Sequence, residues 1–164
     1  MSISAPSHTA AAAGKYLTFF LDAEEYGIEI LKVQEIIGLL PITRVPRTPR
    51  FVKGVINLRG KVIPIIDLRG KFGMEAAPGE AGCMIVVSVQ GVQLGVMVDR
   101  VSEVKSIAEG DIVEPPSFGT EVDTGYLLGI ARGAGKVTLL LDIDHVLTTA
   151  EVLDIRAVAL EDVP

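Results

Sequence analysis

Val52–Leu68 reads VKGVINLRGKVIPIIDL, and Leu127–Ile143 reads LLGIARGAGKVTLLLDI. Each is a pair of aliphatic, β-branched runs around a short break containing glycine, the pattern of a β-hairpin with a tight tip. Laid over one another, Gly54 meets Gly129, Gly60 meets Gly135, Lys61 meets Lys136, Val62 meets Val137 and Asp67 meets Asp142. Gly60 is expected to take the positive φ that a hairpin tip often needs. Arg59 has no twin, because Ala134 stands in its place.

A second pair of stretches repeats in the same order. YGIEILKVQEI, Tyr26–Ile36, lies over LGVMVDRVSEV, Leu94–Val104, matching Gly27 to Gly95, Val33 to Val101 and Glu35 to Glu103. The repeat predicts two related subdomains, 16–72 and 82–146, in a domain spanning 16–150. A flexible tail is expected over 1–15, and a helix or tail over 151–164. About five short strands per half suggest a small curled barrel, since closure removes exposed edges. A half of about 60 residues is marginal alone, so the two barrels should pack on each other through aliphatic faces. The expected fold class is therefore mainly β: two packed five-stranded barrels with short helical turns and a short C-terminal helix. For that helix, DIDHVLTTAEVLDIRAVAL carries apolar residues at spacings of three and four, among them Val146, Leu147 and Val152. Pro64, opposite Leu139 in the repeat, predicts an edge strand or a bulge, because proline cannot donate to a ladder.

Composition supports this reading. Apolar residues make up 49% and aromatics only 5% with no tryptophan, so the core must be aliphatic. Seventeen glycines and nine prolines cut the chain into short pieces. The net charge of -6 argues against general affinity for phosphate backbones. The charge is unevenly spread: Arg44, Arg47, Arg50, Lys53, Arg59, Lys61, Arg69 and Lys71 are opposed in that stretch only by Asp67. Two readings stand, a solvated face or a docking face for an acidic protein partner. The most apolar stretch, CMIVVSVQGVQLGVMV, is broken by Ser88, Gln90, Gly91 and Gln93, which suits a hairpin better than a membrane span. MSISAPSHTAAAAGK lacks a basic leader and a continuous apolar run, so no secretory signal is read there, and a cytoplasmic protein is expected.

Catalytic constellations fail one by one. Cys83, the single cysteine, opens an apolar run and has no evident base. Asp142, Asp144 and His145 have no second ordered histidine or cysteine cluster to complete a metal site, and Asp142 is already explained by its twin Asp67. GAGK looks like a phosphate loop, but Ile130 stands where the first glycine is required and Val137 where Ser or Thr should follow. Phe51 and Phe72 are too few for a base-stacking platform. No enzyme, cofactor or metal is expected. A protein-binding surface remains, and an exposed arginine at a hairpin tip is a common interface anchor.

EEYGIEILKVQEI, TPRFVKGVINLRGKVIPIIDLRGKF and LGVMVDRVSEV together resemble the CheW family of bacterial chemotaxis coupling proteins, from about Tyr16 to Leu147. The resemblance implies two five-stranded barrels of the Src-homology-3-like kind and a non-enzymatic scaffold. It implies that this scaffold joins the cytoplasmic tip of chemoreceptors to the regulatory domain of the histidine kinase CheA. The setting it implies is a membrane-associated array, where other CheW-like domains are further partners. Carried over by motif, Val33, Glu35 and Ile36 fall in the receptor-binding region, and Arg59 matches the arginine tied to receptor coupling. Gly54, Gly60 and Gly95 become structural requirements near the interface. Cys83 and Met84 depart from the valines frequent in the family. An adaptor of the same family in a pilus-motility or other chemosensory pathway would share these motifs, and a nucleic-acid-binding barrel is the other class to be tested.

Overall fold

The computed structural model describes residues 13–75, 82–115, 125–148, 150–152 and 154–156. Most of the expected tail over 1–15 and much of 151–164 lie outside the described residues. In the first half, β1 (Gly14–Leu21) turns back into β2 (Glu24–Glu29), and a single 3-10 turn, Ile30–Lys32, leads to β3 (Val33–Gly38). A longer connection precedes the hairpin of β4 (Val52–Leu58) and β5 (Lys61–Asp67), which ends in a helical turn, Leu68–Lys71. The second half repeats the series with β6 (Cys83–Val89), β7 (Val92–Val98), β8 (Arg100–Ile107) and β9 (Ile112–Val113). It closes with β10 (Leu127–Gly133), β11 (Lys136–Leu141) and the helical turn Ile143–Val146.

The strands form two sheets, ordered β8-β1-β2-β11-β10-β9 and β3-β6-β7-β5-β4. Each sheet takes strands from both 16–72 and 82–146. The first hairpin of one half pairs with the remaining strands of the other, and the exchange is reciprocal. Hairpin periodicity in a sequence reports local pairing, whereas the sheet a hairpin joins is decided by burial over the whole chain. The mainly β, Src-homology-3-like arrangement of two sheets is observed. One sheet has six strands rather than five, and among the described residues the end strands of neither sheet pair to close a barrel.

The exchange explains the matched pair Gly27 and Gly95. The two hairpins meet their new partners in parallel, Gly27 opposite Leu140 and Gly95 opposite Ile65. A β-carbon on Gly95 would lie 2.5 Å from Ile65 Cδ1, and one on Gly27 3.3 Å from Leu140 Cδ2. Gly54 and Gly129 sit at the register shifts of their hairpins, where a connecting segment presses close. A β-carbon on Gly54 would lie 2.1 Å from the Thr43 carbonyl oxygen, and one on Gly129 2.6 Å from Ile112 Cγ2.

Pro64 does not lie on an edge strand, because β5 runs between β7 and β4. It is tolerated because β7 pairs β5 only over Ile65–Asp67, leaving the proline just outside that ladder. Its partner on β4, Val55, exchanges both backbone hydrogen bonds with Thr43 instead, at 2.8 Å each.

The largest buried cluster draws on both sheets, joining Phe19 and Leu21 to Ile85, Val87, Leu94 and Leu141. Smaller clusters fill the five-stranded sheet around Ile56, Ile65 and Met84, and the six-stranded sheet around Tyr16 and Leu140. The aromatics Phe19, Tyr26, Phe72 and Tyr126 form a row, the first three stacked and the last tilted, with successive centroids 5.9, 5.8 and 5.4 Å apart.

Asp67 and Asp142 each cap the helical turn after a hairpin, accepting from the backbone N–H two residues on at 3.1 Å. Those capped residues, Arg69 and Asp144, are twins of opposite charge. Arg69 is buried and reaches both Asp22, in the β1–β2 turn, and Asp99, between β7 and β8. Asp144 accepts from the backbone of Gln90, in the β6–β7 turn, and from Lys32 Nζ at 2.6 Å. One staple is therefore built twice with its charges inverted, each copy tying a helical turn to the tip of its own half's first hairpin and, through Asp99 or Lys32, to the other half.

The C-terminal helical residues 150–152 and 154–156 begin at a capping box. The Thr148 backbone donates to Glu151 Oε1 at 2.7 Å, and the Glu151 backbone donates to Thr148 Oγ1 at 3.1 Å. Val152 and Ile155 complete the large cluster, while Lys71 holds Glu151 at 2.7 Å.

Candidate functional site

Residues 31–42 set up the site by alternation. Successive side chains of a strand point to opposite faces, so Ile36 and Ile37 of β3 face opposite ways, and Leu39 and Leu40 just beyond it also differ in exposure. Ile37, Leu40 and Ile42 pack against the core of the five-stranded sheet. Ile36 and Leu39 are left exposed, and Leu31, on the 3-10 turn before β3, is 92% exposed. Six large hydrophobic side chains stand exposed among the described residues, and these three fall in one nine-residue stretch. β3 is also an end strand of its sheet. Exposed aliphatic side chains along an unpaired strand edge form a surface that binds other chains.

Beside this edge stands the tip of the β4–β5 hairpin. Arg59 and Gly60 both have positive φ, 51° and 87°, the combination of a type I′ turn. The Asn57 side chain accepts from the Gly60 backbone at 2.8 Å and fixes the tip. From there the Arg59 guanidinium pairs with the Glu35 carboxylate on β3. The arginine side chain is 70% exposed, so the pair faces solvent and has little weight in folding. It holds a planar, charged group beside the apolar edge.

The residues singled out by motif are brought together in part. Glu35 and Arg59 are in contact. Ile36 lies opposite Ile85 of the large cluster and Glu35 opposite Val86 of the smaller one, so the two point to different faces of β3. Val33 is half-buried against the large cluster. A partner lying along the free edge of β3 reaches both faces; one docking flat on a single face does not. Leu31 and Leu39 were missed by motif reading, because an apolar doublet alone does not signal exposure: Ile65–Ile66 and Val86–Val87 are buried on both faces. Gly54 and Gly95 serve packing, and Gly60 serves the turn.

Other reactive groups are accounted for by structure. Burial pushes the Cys83 thiol up, away from the thiolate. His145 Nδ1 lies 2.5 Å from Asp142 Oδ2, on the carboxylate that caps the last helical turn. Among the described residues no group of three or more His, Cys, Asp or Glu is placed to hold a metal ion. No helix there is long and apolar enough to cross a membrane.

Two β-sheets with an exposed aliphatic strand edge and a solvent-facing ion pair present a surface of the kind suited to binding other proteins. The chain belongs to the CheW-like domain family, whose model matches residues 15–151. It is 40% identical to chemotaxis protein CheW of Klebsiella aerogenes over 146 residues, 88% of each chain. It is 32% identical to chemotaxis protein CheW of Rhizobium meliloti, over 90% of this chain and 96% of that one. The crystal structure of scaffolding protein TtCheW from Thermoanaerobacter tengcongensis superposes with a TM-score of 0.74 at 36% identity, covering 85% of this chain and 95% of that one. The chain is a chemotaxis coupling adaptor of this scaffold family.

Proposed function

We propose that the β3 edge and the Arg59 tip receive the cytoplasmic tip of a chemoreceptor, while a separate surface holds the regulatory domain of the histidine kinase CheA. The protein catalyses nothing itself and works in the cytoplasm within membrane-associated receptor arrays, beside other CheW-like domains. Leu31, Ile36 and Leu39 supply apolar contact for a receptor helix, and the Glu35–Arg59 pair fixes its orientation. The observation that carries this reading is the ion pair itself. Glu35 has a twin in Glu103, but the second hairpin carries Ala134 where Arg59 would be, so the pair belongs to one half only. A micromolar contact amounts to about 8 kcal/mol, suited to a lattice that assembles and rearranges. A receptor signal needs to shift the kinase by only about 1–3 kcal/mol. The test is co-sedimentation of the purified protein with receptor-bearing membranes and CheA. Kinase stimulation that needs all three components supports the reading, and stimulation unaffected by leaving this chain out rejects it.

A further inference from the structure

Of the eight cations between Arg44 and Lys71, four are committed: Lys53 to Asp67, Arg59 to Glu35, Arg69 to Asp22 and Asp99, and Lys71 to Glu151. Arg44, Arg47 and Arg50 are exposed and make no ion pair among the described residues. They recur every third residue along the connection from β3 to β4 and rim a cleft of about 430 Å3. No acidic residue interrupts the segment, in a chain whose net charge is -6.

The loop that carries them is braced. Pro46 and Pro49 fix their own φ and restrict Val45 and Thr48 before them. The Thr48 hydroxyl donates to the Val45 carbonyl at 2.9 Å, and the Val52 backbone N–H donates to the Pro49 carbonyl at 3.0 Å. Arg47 follows Pro46 in a turn with φ 63°, a position where glycine or asparagine is favoured.

We propose that the Arg44–Arg50 loop is a docking site for an acidic segment of a partner protein. It is distinct from the Arg59 tip: the loop runs from Thr43, bridged to Val55 in the middle of β4, to Val52 at the start of that strand, whereas Arg59 follows its other end, Leu58. Guanidinium forks match carboxylates in pairs, and three of them held on a braced loop lose little freedom on binding. A concave rim suits protruding Asp and Glu side chains better than a flat lipid surface. The overall negative charge repels a long polyanion such as RNA. The inference does not depend on which partner occupies Arg59.

The experiment follows binding of a synthetic Asp/Glu-rich peptide to the full chain by NMR titration. Parallel titrations use a single-stranded RNA oligonucleotide, vesicles containing anionic lipid, and inorganic phosphate. Peptide binding should perturb Arg44–Arg50, weaken severalfold as ionic strength rises to about 0.5 M, and fall about tenfold in R44Q/R47Q/R50Q. K15Q/R132Q/K136Q, which removes three cations from the other sheet, should bind the peptide as the native chain does. Equal binding by the two triple variants, or no perturbation of the loop, overturns the site. Tighter binding of RNA, vesicles or phosphate through the same arginines overturns the acidic-peptide assignment.

Discussion

Arg59 and Ala134 hold the same left-handed backbone, φ 51° and 48°, at the tips of twin hairpins, and only Arg59 reaches a carboxylate, that of Glu35. Since the second hairpin makes its turn with alanine, the first can too. Arg59→Ala should unfold within about 0.5 kcal/mol of the native chain in urea, as expected for a change at an exposed site. In a reconstituted receptor–CheA assembly the same variant should lose receptor control of the kinase. Control that stays intact would remove Arg59 from the interface.

Ile36 and Ile37 are chain neighbours facing opposite ways, so a carboxylate has opposite meanings at the two positions. Ile36→Asp places the charge in solvent and should leave thermal unfolding cooperative while abolishing capture by an immobilised receptor fragment. Ile37→Asp places it against the Ile56 and Met84 cluster and should cost several kcal/mol, the order expected for an unpaired charge in a core. Binding by the Ile36 variant that matches the native chain would show that the β3 edge is not used.

Gly54 has φ 143° and no room for a methyl group, since the nearest obstacle is the backbone oxygen of Thr43. Gly54→Ala should therefore destabilise by about 3 kcal/mol or more, by displacing the segment bridged to Val55. Gly133→Ala, where nothing lies within 4 Å of the added carbon, should be close to neutral. Chemical denaturation of the two variants side by side separates a steric requirement from a general penalty on glycine replacement.

Much of the architecture was legible because hairpins are local. The tip glycines are fixed by residues within a few positions of one another and the repeat by comparison of the halves, whereas Asp67 and Asp142 were matched without their role as helix caps. Strand exchange was not legible, because β2 and β7 carry the same aliphatic pattern whichever sheet receives them. Arg69 was read only as one of a basic run, since nothing near it in sequence announces Asp22 and Asp99 as its partners. The opposite charge of Arg69 and Asp144 at matched positions was in the alignment of the halves. Its meaning needed the contacts. At the candidate site, Glu35 and Arg59 were found by motif, whereas Leu31 and Leu39 flank β3 and their exposure depends on how the segments on either side of it pack.

The buried Arg69 staple predicts how stability responds to acid. The hydrogen bonds from Arg69 hold the Asp99 carboxyl below its ordinary range against the opposing effect of burial. A carboxylate with a lowered folded-state pKa adds stability above its unfolded value, about 3.9, and loses it as pH falls through the folded value. Arg69→Met should cost about 3 kcal/mol or more at pH 7, because it leaves Asp99 without its cation. The gap between the native chain and the variant should shrink as the pH falls below about 4. Asp144→Asn, in the more exposed Lys32 staple, should cost less at pH 7. Urea midpoints across a pH series test the order and the convergence together.

Reciprocal exchange makes each sheet a product of both halves. Alone, the first half has β1 and β2 without β11, and β3 without β6, so its aliphatic faces have nothing to cover them. The second half lacks the same pairings from the other side. Chains cut between residues 75 and 82 should each lack cooperative unfolding and the dispersed amide spectrum of a folded domain. Mixed in equal amounts, they should assemble into a one-to-one complex with the native chain's circular dichroism spectrum, because every pairing that defines the two sheets is restored. Independent folding of either fragment would mean that the exchanged hairpins are accessories to self-sufficient barrels, and the charge-inverted staples would then have no role in holding the halves together.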